Sequence, residues 1–294
     1  MKVHILGSGS EGNAILLESD KQRILIDAGF GIRELARRLR SVDVEPDTVT
    51  ALIVTHEHQD HVRGAGAAAR RYHWPVYATA GTLKRDKQKN PPRREATGEA
   101  HMPISLSIET APAATKKKKI VKHVVNTQDE VELEDFQLKF VKAPHDAREP
   151  VALIATTKST GERVGIAYDL GHLTERFIQY FADVDVLILE SNHDGAMLRT
   201  GPYPWSLKQR VAGPNGHLSN AEAALMARSC VHRGLRHLVL CHLSQVNNRP
   251  EIALKTMRSA LRGSGFRGSL QAAPQHTTLS LGGGGGAMQM ELSL

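Results

Sequence analysis

The chain has 294 residues, a formal net charge of +7 and two cysteines; 40% of its residues are hydrophobic and 4% are aromatic. This length can bury a substantial core, whereas no apolar run reaches the roughly eighteen residues that a membrane helix needs. The N-terminus lacks a long apolar signal segment, and two cysteines are too few for a disulfide framework. We therefore expect a cytoplasmic globular protein without a membrane partner.

The N-terminal stretch from His4 to Glu18 contains Gly7, Gly9 and Gly12 in the pattern G-x-G-x-x-G, and Asp27 follows about twenty residues after Gly7. This fingerprint binds a dinucleotide only where a helix begins at the glycines. Here an apolar strand-like run follows the last glycine, and a second run precedes Asp27. A crossover between parallel strands needs about a dozen residues or more, which this interval does not provide. We therefore predict a tight turn in a β-meander and no dinucleotide cofactor.

Further along the chain, apolar runs and helical spacings form two groups of strands, each accompanied by helices. In the first half, strand-like runs end near residues 6, 17, 26 and 55, and helical patterning covers 31–39 and 60–72. In the second half, strands are predicted over 131–133, 136–141, 151–156, 164–168, 186–189 and 237–241, and helices over 220–232 and 250–261. We predict a single α/β domain over residues 1–281, followed by a Gly-rich tail over 282–294.

A basic segment interrupts this pattern at about residues 84–122. It holds eleven Lys and Arg against four Asp and Glu, an excess equal to the net charge of the whole chain. Its prolines and its run of four lysines from Lys116 to Lys119 predict a flexible insertion within the domain.

The run from Ala51 to His61 is an apolar strand that ends in three histidines and an aspartate. Residues two apart on an extended chain point the same way, so His56 and His58 can converge on one cation. Asp60 and His61 follow at the start of a helix. Neutral imidazoles and carboxylates suit zinc, manganese or iron, and the alternative of a solvated polar loop does not explain histidines at alternate positions.

Three further candidate ligands stand where other apolar strands end: His145, Asp169 and His242. Sites on layered α/β folds collect at such strand ends. Each residue alone could equally be a helix-capping or core side chain, but together they would complete the shells of two metal ions.

These residues resemble the metallo-β-lactamase superfamily, whose fold is a four-layer αββα sandwich of two mixed sheets with helices on the outer faces. The resemblance implies two divalent ions, Zn²⁺ or Mn²⁺. It assigns His56, His58 and His145 to the first ion, Asp60, His61 and His242 to the second, and Asp169 as the bridge between them. Asp27 matches the family's acid behind the histidines, which would orient a ligating imidazole.

Five further motifs narrow the resemblance to the YycJ/WalJ-type branch, over about residues 1–83 and 124–262. They are Gly7–Asn13, Pro144–Ala147, Leu189–Asp194, Gly216–Asn220 and His242–Asn248. That branch is regarded as nuclease-like and is related to ribonuclease Z and to the β-CASP nucleases. The chain has no room for a β-CASP domain and departs from the branch mainly in its long basic segment.

Two cations about 3.5 to 4 Å apart can hold a hydroxide between them and polarise a phosphoryl oxygen. The chemistry also needs a proton donor for the leaving oxygen, and His217 is the best candidate. By resemblance to related nucleases, Glu190 is its acidic partner. A carboxylate beside His217 would raise its pKa and keep it protonated, as a general acid requires. We count Asp60 with these two residues as catalytic.

The leading hypothesis is a metal-dependent phosphodiesterase that acts on DNA or RNA, in its narrowest form a 5′ exonuclease. Lysines neutralise phosphates without reading sequence, and an aromatic ring can stack on a base. The predicted nucleic-acid contacts are Lys116, Lys117, Lys118, Lys119, Trp205, Lys208 and Arg210. One alternative is a hydrolase of thioesters, lactones or cyclic phosphodiesters with the same metals, and another is a non-catalytic nucleic-acid-binding protein with a structural metal. The oligomeric state stays open.

Overall fold

The computed structural model describes residues 1–84, 119–127 and 129–282. Its strands are β1 Lys2–Gly7, β2 Ala14–Glu18, β3 Arg23–Ile26, β4 Ala51–Ile53, β5 Val76–Thr79, β6 Lys122–Val125, β7 Glu130–Glu132, β8 Phe136–Lys142, β9 Val151–Thr157, β10 Arg163–Ala167, β11 Val186–Glu190, β12 His237–Cys241, β13 Ser269–Ala272 and β14 Leu279–Leu281. Its helices are α1 Ile32–Arg40, α2 Gln59–Val62, α3 Ala65–Tyr72, α4 Ala80–Leu83, α5 Glu175–Gln179, α6 Gly195–Thr200, α7 Trp205–Val211, α8 Asn220–Ser229 and α9 Pro250–Leu261.

The described strands form two mixed sheets of seven strands each. One sheet has the order β14-β1-β2-β3-β4-β5-β6 and the other the order β13-β12-β11-β10-β9-β8-β7. In the first sheet β3 to β6 are parallel, and in the second β10 to β13 are parallel. The predicted meander is confirmed, because β2 pairs antiparallel with both β1 and β3.

Three apolar clusters separate four layers. One cluster lies between the sheets and includes Ile5 and Ile26 from the first sheet with Phe140 and Ile166 from the second. A second packs the outer face of the first sheet against α1 and α3, and a third packs the outer face of the second sheet against α5, α8 and α9. Alternate strand residues thus face different layers, which confirms the predicted αββα sandwich.

Two predicted helix boundaries are wrong. The helix expected over 60–72 is two helices, α2 and α3, that meet near Gly64. The Gly64 amide donates to the Ala28 carbonyl, and a Cβ at Gly64 would lie 2.0 Å from the Phe30 carbonyl oxygen. The helix expected to reach residue 232 ends at Ser229, where Cys230 caps its last turn.

Most of the basic segment and nearly all of the Gly-rich tail lie outside the described residues, and the flexibility of the basic segment stays a prediction. The assignment of residues 1–281 to a single domain also stays a prediction. Among the described helices, none has the length and apolar character needed to cross a membrane. A cytoplasmic location stays a prediction from the sequence.

Candidate active site

The chemically reactive side chains lie just beyond the C-terminal ends of strands in both sheets. Asp27 follows β3, and His56 lies three residues after β4 in the first sheet. In the second sheet, Asp169 follows β10 and His242 follows β12, while Glu190 is the last residue of β11. Because parallel strands of one sheet end at the same edge, the fold brings these separate strand ends together.

Asp27 holds the histidine loop in place. Its two carboxylate oxygens accept from the Thr55 amide at 2.8 Å, the Thr55 hydroxyl at 2.7 Å and the Tyr168 hydroxyl at 2.5 Å. The imidazole of His61 donates its Nδ1 hydrogen to Asp27 over 2.7 Å. This hydrogen bond turns Nε2 of His61 towards the other ligand candidates, as expected for an acid that orients a metal-binding imidazole.

The first predicted ligand set is assembled in the structure. One ring nitrogen from each of His56, His58 and His145 lies within 4.8 Å of the others. His145 donates through Nδ1 to the Gly216 carbonyl at 3.0 Å, so its Nε2 faces His58 Nδ1 at 3.3 Å. His56 is 1% exposed, and its Nε2 has no hydrogen-bond partner among the described residues.

The second predicted set is also assembled. Ligand atoms of Asp60, His61 and His242 lie within 4.8 Å of one another, and those of His56, His61 and Asp169 do the same. Asp169 Oδ2 is 2.8 Å from His61 Nε2 and 3.7 Å from His56 Nε2. Asp169 therefore lies between the two sets, where the resemblance places a bridging carboxylate.

The electrostatics of the cluster favour bound cations. Burial alone would lower the pKa of His242, but Asp169 and Asp60 outweigh it and raise that pKa to about 10. Burial, followed by the neighbouring His61, lowers the pKa of His56 well below its usual value and keeps this imidazole neutral. No Lys or Arg side chain pairs with Asp60 or Asp169 among the described residues.

The carboxylates of the cluster act directly on His61, whose Nε2 lies 2.8 Å from Asp169 Oδ2. Burial lowers the pKa of His61, but Asp60 and Asp169 outweigh burial and raise that pKa well above its usual value. A divalent ion would compensate the same negative charge in place of that proton. Buried carboxylates of this kind need charge compensation, and neutral imidazoles and carboxylates are the donor set that zinc and manganese accept. The residues present therefore fit divalent metal ions.

His217 lies beside both ligand sets and forms a pair with Glu190. Its Nδ1 donates to Glu190 Oε1 over 2.7 Å, and its ring centroid is 5.1 Å from that of His145 and 5.3 Å from that of His242. Burial opposes a charge on His217, but the Glu190 carboxylate outweighs burial and raises the pKa of His217 above its usual 6.5. The pairing that the resemblance implied is thus present in the structure.

Three of these residues adopt left-handed backbone conformations. The φ angles are 60° at Asp27, 55° at Asp169 and 53° at His242. Residues other than glycine rarely adopt φ angles in this left-handed region. Where they do, the surrounding structure holds them in place, and such positions cluster at functional sites. Here each bend turns the chain out of its strand and directs the side chain into the cluster.

The predicted nucleic-acid contacts occupy different surroundings. Lys119 is exposed, and Trp205 is 70% exposed at the start of α7. Lys208 donates to the Arg199 carbonyl at 2.7 Å, and Arg210 Nε donates to Asp146 Oδ2 at 2.7 Å, so both have intramolecular partners. The remaining members of this set, Lys116, Lys117 and Lys118, lie outside the described residues.

Tyr168 is a contributor that the sequence did not identify. Its hydroxyl reaches Asp27 from the opposite sheet, across 141 positions of the chain, so no local spacing connects the two. Its one local signal is its place at the end of a strand, directly before Asp169. Asn13, from the glycine turn, lies with its Nδ2 3.2 Å from Asp60 Oδ2, so this turn borders the cluster.

Comparison with known proteins agrees with this geometry. The family described as "Beta-lactamase superfamily domain" matches residues 22–243. The chain is 31% identical to "Exodeoxyribonuclease YycJ" of Bacillus anthracis over 264 residues, covering 89% of each chain. It is also 31% identical to "Exodeoxyribonuclease WalJ" of Streptococcus pneumoniae, covering 88% of each.

Solved structures share the fold. The metallo-β-lactamase fold protein YhfI from Bacillus subtilis superposes with a TM-score of 0.65 at 18% identity, covering 95% of this chain and 98% of YhfI. The solved structure shows the fold alone, whereas the family match and the two relatives of nearly equal length show the family. The chain belongs to the metallo-β-lactamase-fold superfamily, in the branch that contains the YycJ and WalJ proteins.

Proposed function

We propose that this metal-dependent hydrolase is a nuclease, a phosphodiesterase that cleaves DNA or RNA and in its narrowest form acts as an exonuclease. The observation that carries the proposal is the His217–Glu190 pair, which lies directly beside two ligand sets that share Asp169. This arrangement combines cation sites with a positioned proton donor, and phosphodiester hydrolysis needs both.

In this proposal His56, His58 and His145 would hold one divalent ion, Asp60, His61 and His242 would hold a second, and Asp169 lies between the two sets. The donor set supports Zn²⁺ or Mn²⁺ as the ions. Bound there, they supply positive charge that polarises a phosphoryl oxygen and acidifies a water. Asp27 keeps His61 in the tautomer whose Nε2 is free to bind.

His217 supplies a proton to the leaving oxygen. Its Nδ1 is engaged by Glu190, so the free Nε2 is the nitrogen that can donate. Glu190 is 0% exposed and is itself fixed by the amides of Leu170 at 2.7 Å and Leu218 at 3.2 Å. The carboxylate therefore holds the imidazole in one orientation and favours its protonated form.

The relatives support a nucleic-acid substrate. Both are named exodeoxyribonucleases and match this chain over nearly their whole length. They do not favour the alternatives of a small-molecule hydrolase or a non-catalytic binding protein. The basic composition of residues 84–122 is consistent with a polyanion, because lysines near a strand neutralise its phosphates.

Cleavage of end-labelled nucleic acid tests the proposal. Purified protein with added Mn²⁺ or Zn²⁺ should degrade DNA or RNA, and labels at the 5′ and 3′ ends give the polarity. Asp60→Ala should abolish cleavage. Asp47→Ala is the matched control, since Asp47 is exposed and precedes β4 at the end of that strand opposite His56. Hydrolysis of a thioester or lactone without cleavage of any nucleic acid would overturn the proposal.

A further inference from the structure

A cavity of about 340 Å³ is lined in part by residues that neighbour two of the ligand candidates along the chain. Its lining includes Pro144, which directly precedes His145, and His172, three residues after Asp169. Consecutive Cα atoms are 3.8 Å apart, so the cavity begins within about 11 Å of either ligand candidate. Its volume is at the lower end of the range of small-molecule sites, about 300 to 1,000 Å³.

Hydrogen bonds link the lining residues Pro144 and His172 to the loops that carry the site. The Gly171 amide donates to the Pro144 carbonyl at 2.7 Å, and His172 Nδ1 donates to the Pro214 carbonyl at 2.7 Å. The loop that contains Pro214 also supplies the Gly216 carbonyl, which orients His145. A ligand in the cavity would therefore touch the loops that position the reacting groups.

The cavity combines cations with aromatic rings. Lys142 and Arg176 line it and are exposed, and neither has a carboxylate partner in the part of the chain that the structure describes. Phe177 and Tyr180 also line it: the Phe177 ring is buried against Phe181, whereas the Tyr180 ring is half-buried, with Lys139 Nζ 5.3 Å from its centroid. Unpaired cations next to aromatic faces are the chemistry that binds a single-stranded phosphate backbone and stacks its bases.

We propose that this cavity binds a nucleotide of the substrate strand adjacent to the scissile phosphate, with Lys142 and Arg176 on a backbone phosphate and Tyr180 against the base. This inference rests on the nuclease activity proposed above and adds a binding subsite outside the metal cluster. The cavity is lined by the residues next to His145 and close after Asp169 in the chain, so it would hold the strand while the neighbouring phosphate is cleaved.

The test is a pair of double variants with equal loss of charge. Lys142→Ala/Arg176→Ala removes the two cavity cations. Arg233→Ala/Arg267→Ala is the control, because Arg233 and Arg267 are exposed and precede β12 and β13 at the ends of these strands opposite the cluster. Cleavage of a labelled single-stranded oligonucleotide is compared with hydrolysis of bis(p-nitrophenyl) phosphate, which carries no neighbouring nucleotide and no second phosphate to occupy the cavity.

The cavity variant should raise KM for the oligonucleotide by about tenfold, equivalent to about 1.4 kcal/mol, and leave hydrolysis of the small diester unchanged. Binding of the oligonucleotide to the cavity variant should depend less on salt. The slope of the logarithm of the binding constant against the logarithm of salt concentration should become shallower by about 0.7 per lost phosphate contact. The control pair should stay near wild type. If both pairs behave alike on the oligonucleotide, the subsite is refuted while the nuclease assignment stands. If wild type cuts no nucleic acid, both ideas fail.

A second readout does not depend on the folding of the cavity variant. Asp60→Ala protein is irradiated with an oligonucleotide that carries 5-iodouracil, which crosslinks to aromatic side chains in contact with it. The peptide that contains Phe177 and Tyr180 should carry the crosslink. Crosslinks found elsewhere and never on this peptide would overturn the proposal.

Discussion

Glu190 is a buried carboxylate whose two oxygens each face two N–H groups. Oε1 accepts from His217 at 2.7 Å and from His242 at 3.1 Å, and Oε2 accepts from two backbone amides. One carboxylate therefore orients both the candidate proton donor and a candidate metal ligand. Burial raises the pKa of Glu190, but His217 outweighs burial and lowers it, so the charge on Glu190 persists.

We expect Glu190→Gln to reduce kcat by about 10² to 10⁴ and to change the pH profile. Glu190 raises the pKa of His217 against the effect of burial, and a general acid is active only while protonated. Activity is therefore lost as pH rises through this pKa, and the loss should occur at lower pH in the variant. Rates measured across pH at saturating metal check this, and an unchanged alkaline limb would contradict it.

The double variant Glu190→Gln/His217→Ala separates a shared role from two independent ones. If Glu190 acts through His217, the double variant should be no slower than His217→Ala alone, because residues that act as a unit are not additive. Multiplied losses in the double variant would instead indicate that Glu190 acts mainly through His242.

Tyr168→Phe should weaken metal binding by about tenfold, because it removes one of the donors that fix Asp27 behind His61. Titration of the apo protein with Zn²⁺ measures the effect. Tyr77→Phe is the matched control: Tyr77 is half-buried in β5 and stacks on His123, away from the cluster. Equal metal affinity of the two variants would show that Tyr168 does not support the site.

The sequence could reveal the candidate ligands and Asp27 behind them, but not the residues that hold Asp27. His56 and His58 are recognisable because alternate positions of an extended segment share a direction, and His145, Asp169 and His242 because each follows an apolar run. Tyr168 and Thr55 contact Asp27 through tertiary packing, which leaves no periodic signal.

At the scale of elements, the turn before β2 and the loop after β3 both pack against the start of α2. The Asn13 amide donates to the Asp60 carbonyl at 2.7 Å, and the Ala28 amide donates to the His61 carbonyl at 2.8 Å. A Cβ on Gly29 would lie 1.7 Å from the Asp60 carbonyl oxygen. The position of the Asp60 side chain therefore depends on a glycine in a neighbouring element.

Gly29→Ala should displace the start of α2, destabilise the protein by about 2 kcal/mol or more and reduce metal binding. Gly31→Ala is the control two residues away, where a Cβ meets nothing within 4 Å. Thermal unfolding and metal titration of both variants provide the measurement. A Gly29→Ala protein with wild-type metal affinity would show that the contact is dispensable.

Element prediction succeeded where a signal was local. The short interval between β2 and β3 required a meander, and the patterning of 31–39 predicted α1. It failed where pairing depended on distant segments: β6 pairs with β5 across the basic segment, and β14 adds only three residues beside β1. Such short edge strands lack enough alternating positions to be recognised.

Across the whole molecule, positive charge is concentrated in one region of the sequence. Residues 85–118 contain eight Lys and Arg against four Asp and Glu. They connect Lys84, after α4, to the strand β6 at the edge of the first sheet. Insertion at an edge leaves the strands that carry the cluster paired with each other.

Replacing residues 85–118 by a Gly/Ser linker of about ten residues should weaken nucleic-acid binding and lower its salt dependence, because fewer cations contact the strand. Turnover of bis(p-nitrophenyl) phosphate should be unchanged. Binding measured over a range of salt concentrations gives both the affinity and its salt dependence. Loss of both activities would mean that the segment is needed for folding.

The left-handed conformations of Asp27, Asp169 and His242 have an evolutionary consequence. Glycine adopts this conformation without the cost that other residues incur, which is about 1 kcal/mol or more at each position. At Asp27, glycine would leave the buried Thr55, Tyr168 and His61 donors without their acceptor, so selection for stability alone favours glycine mainly at Asp169 and His242. A descendant of this chain that had lost its activity would therefore be recognisable by glycines after β10 and β12 beside a retained Asp27.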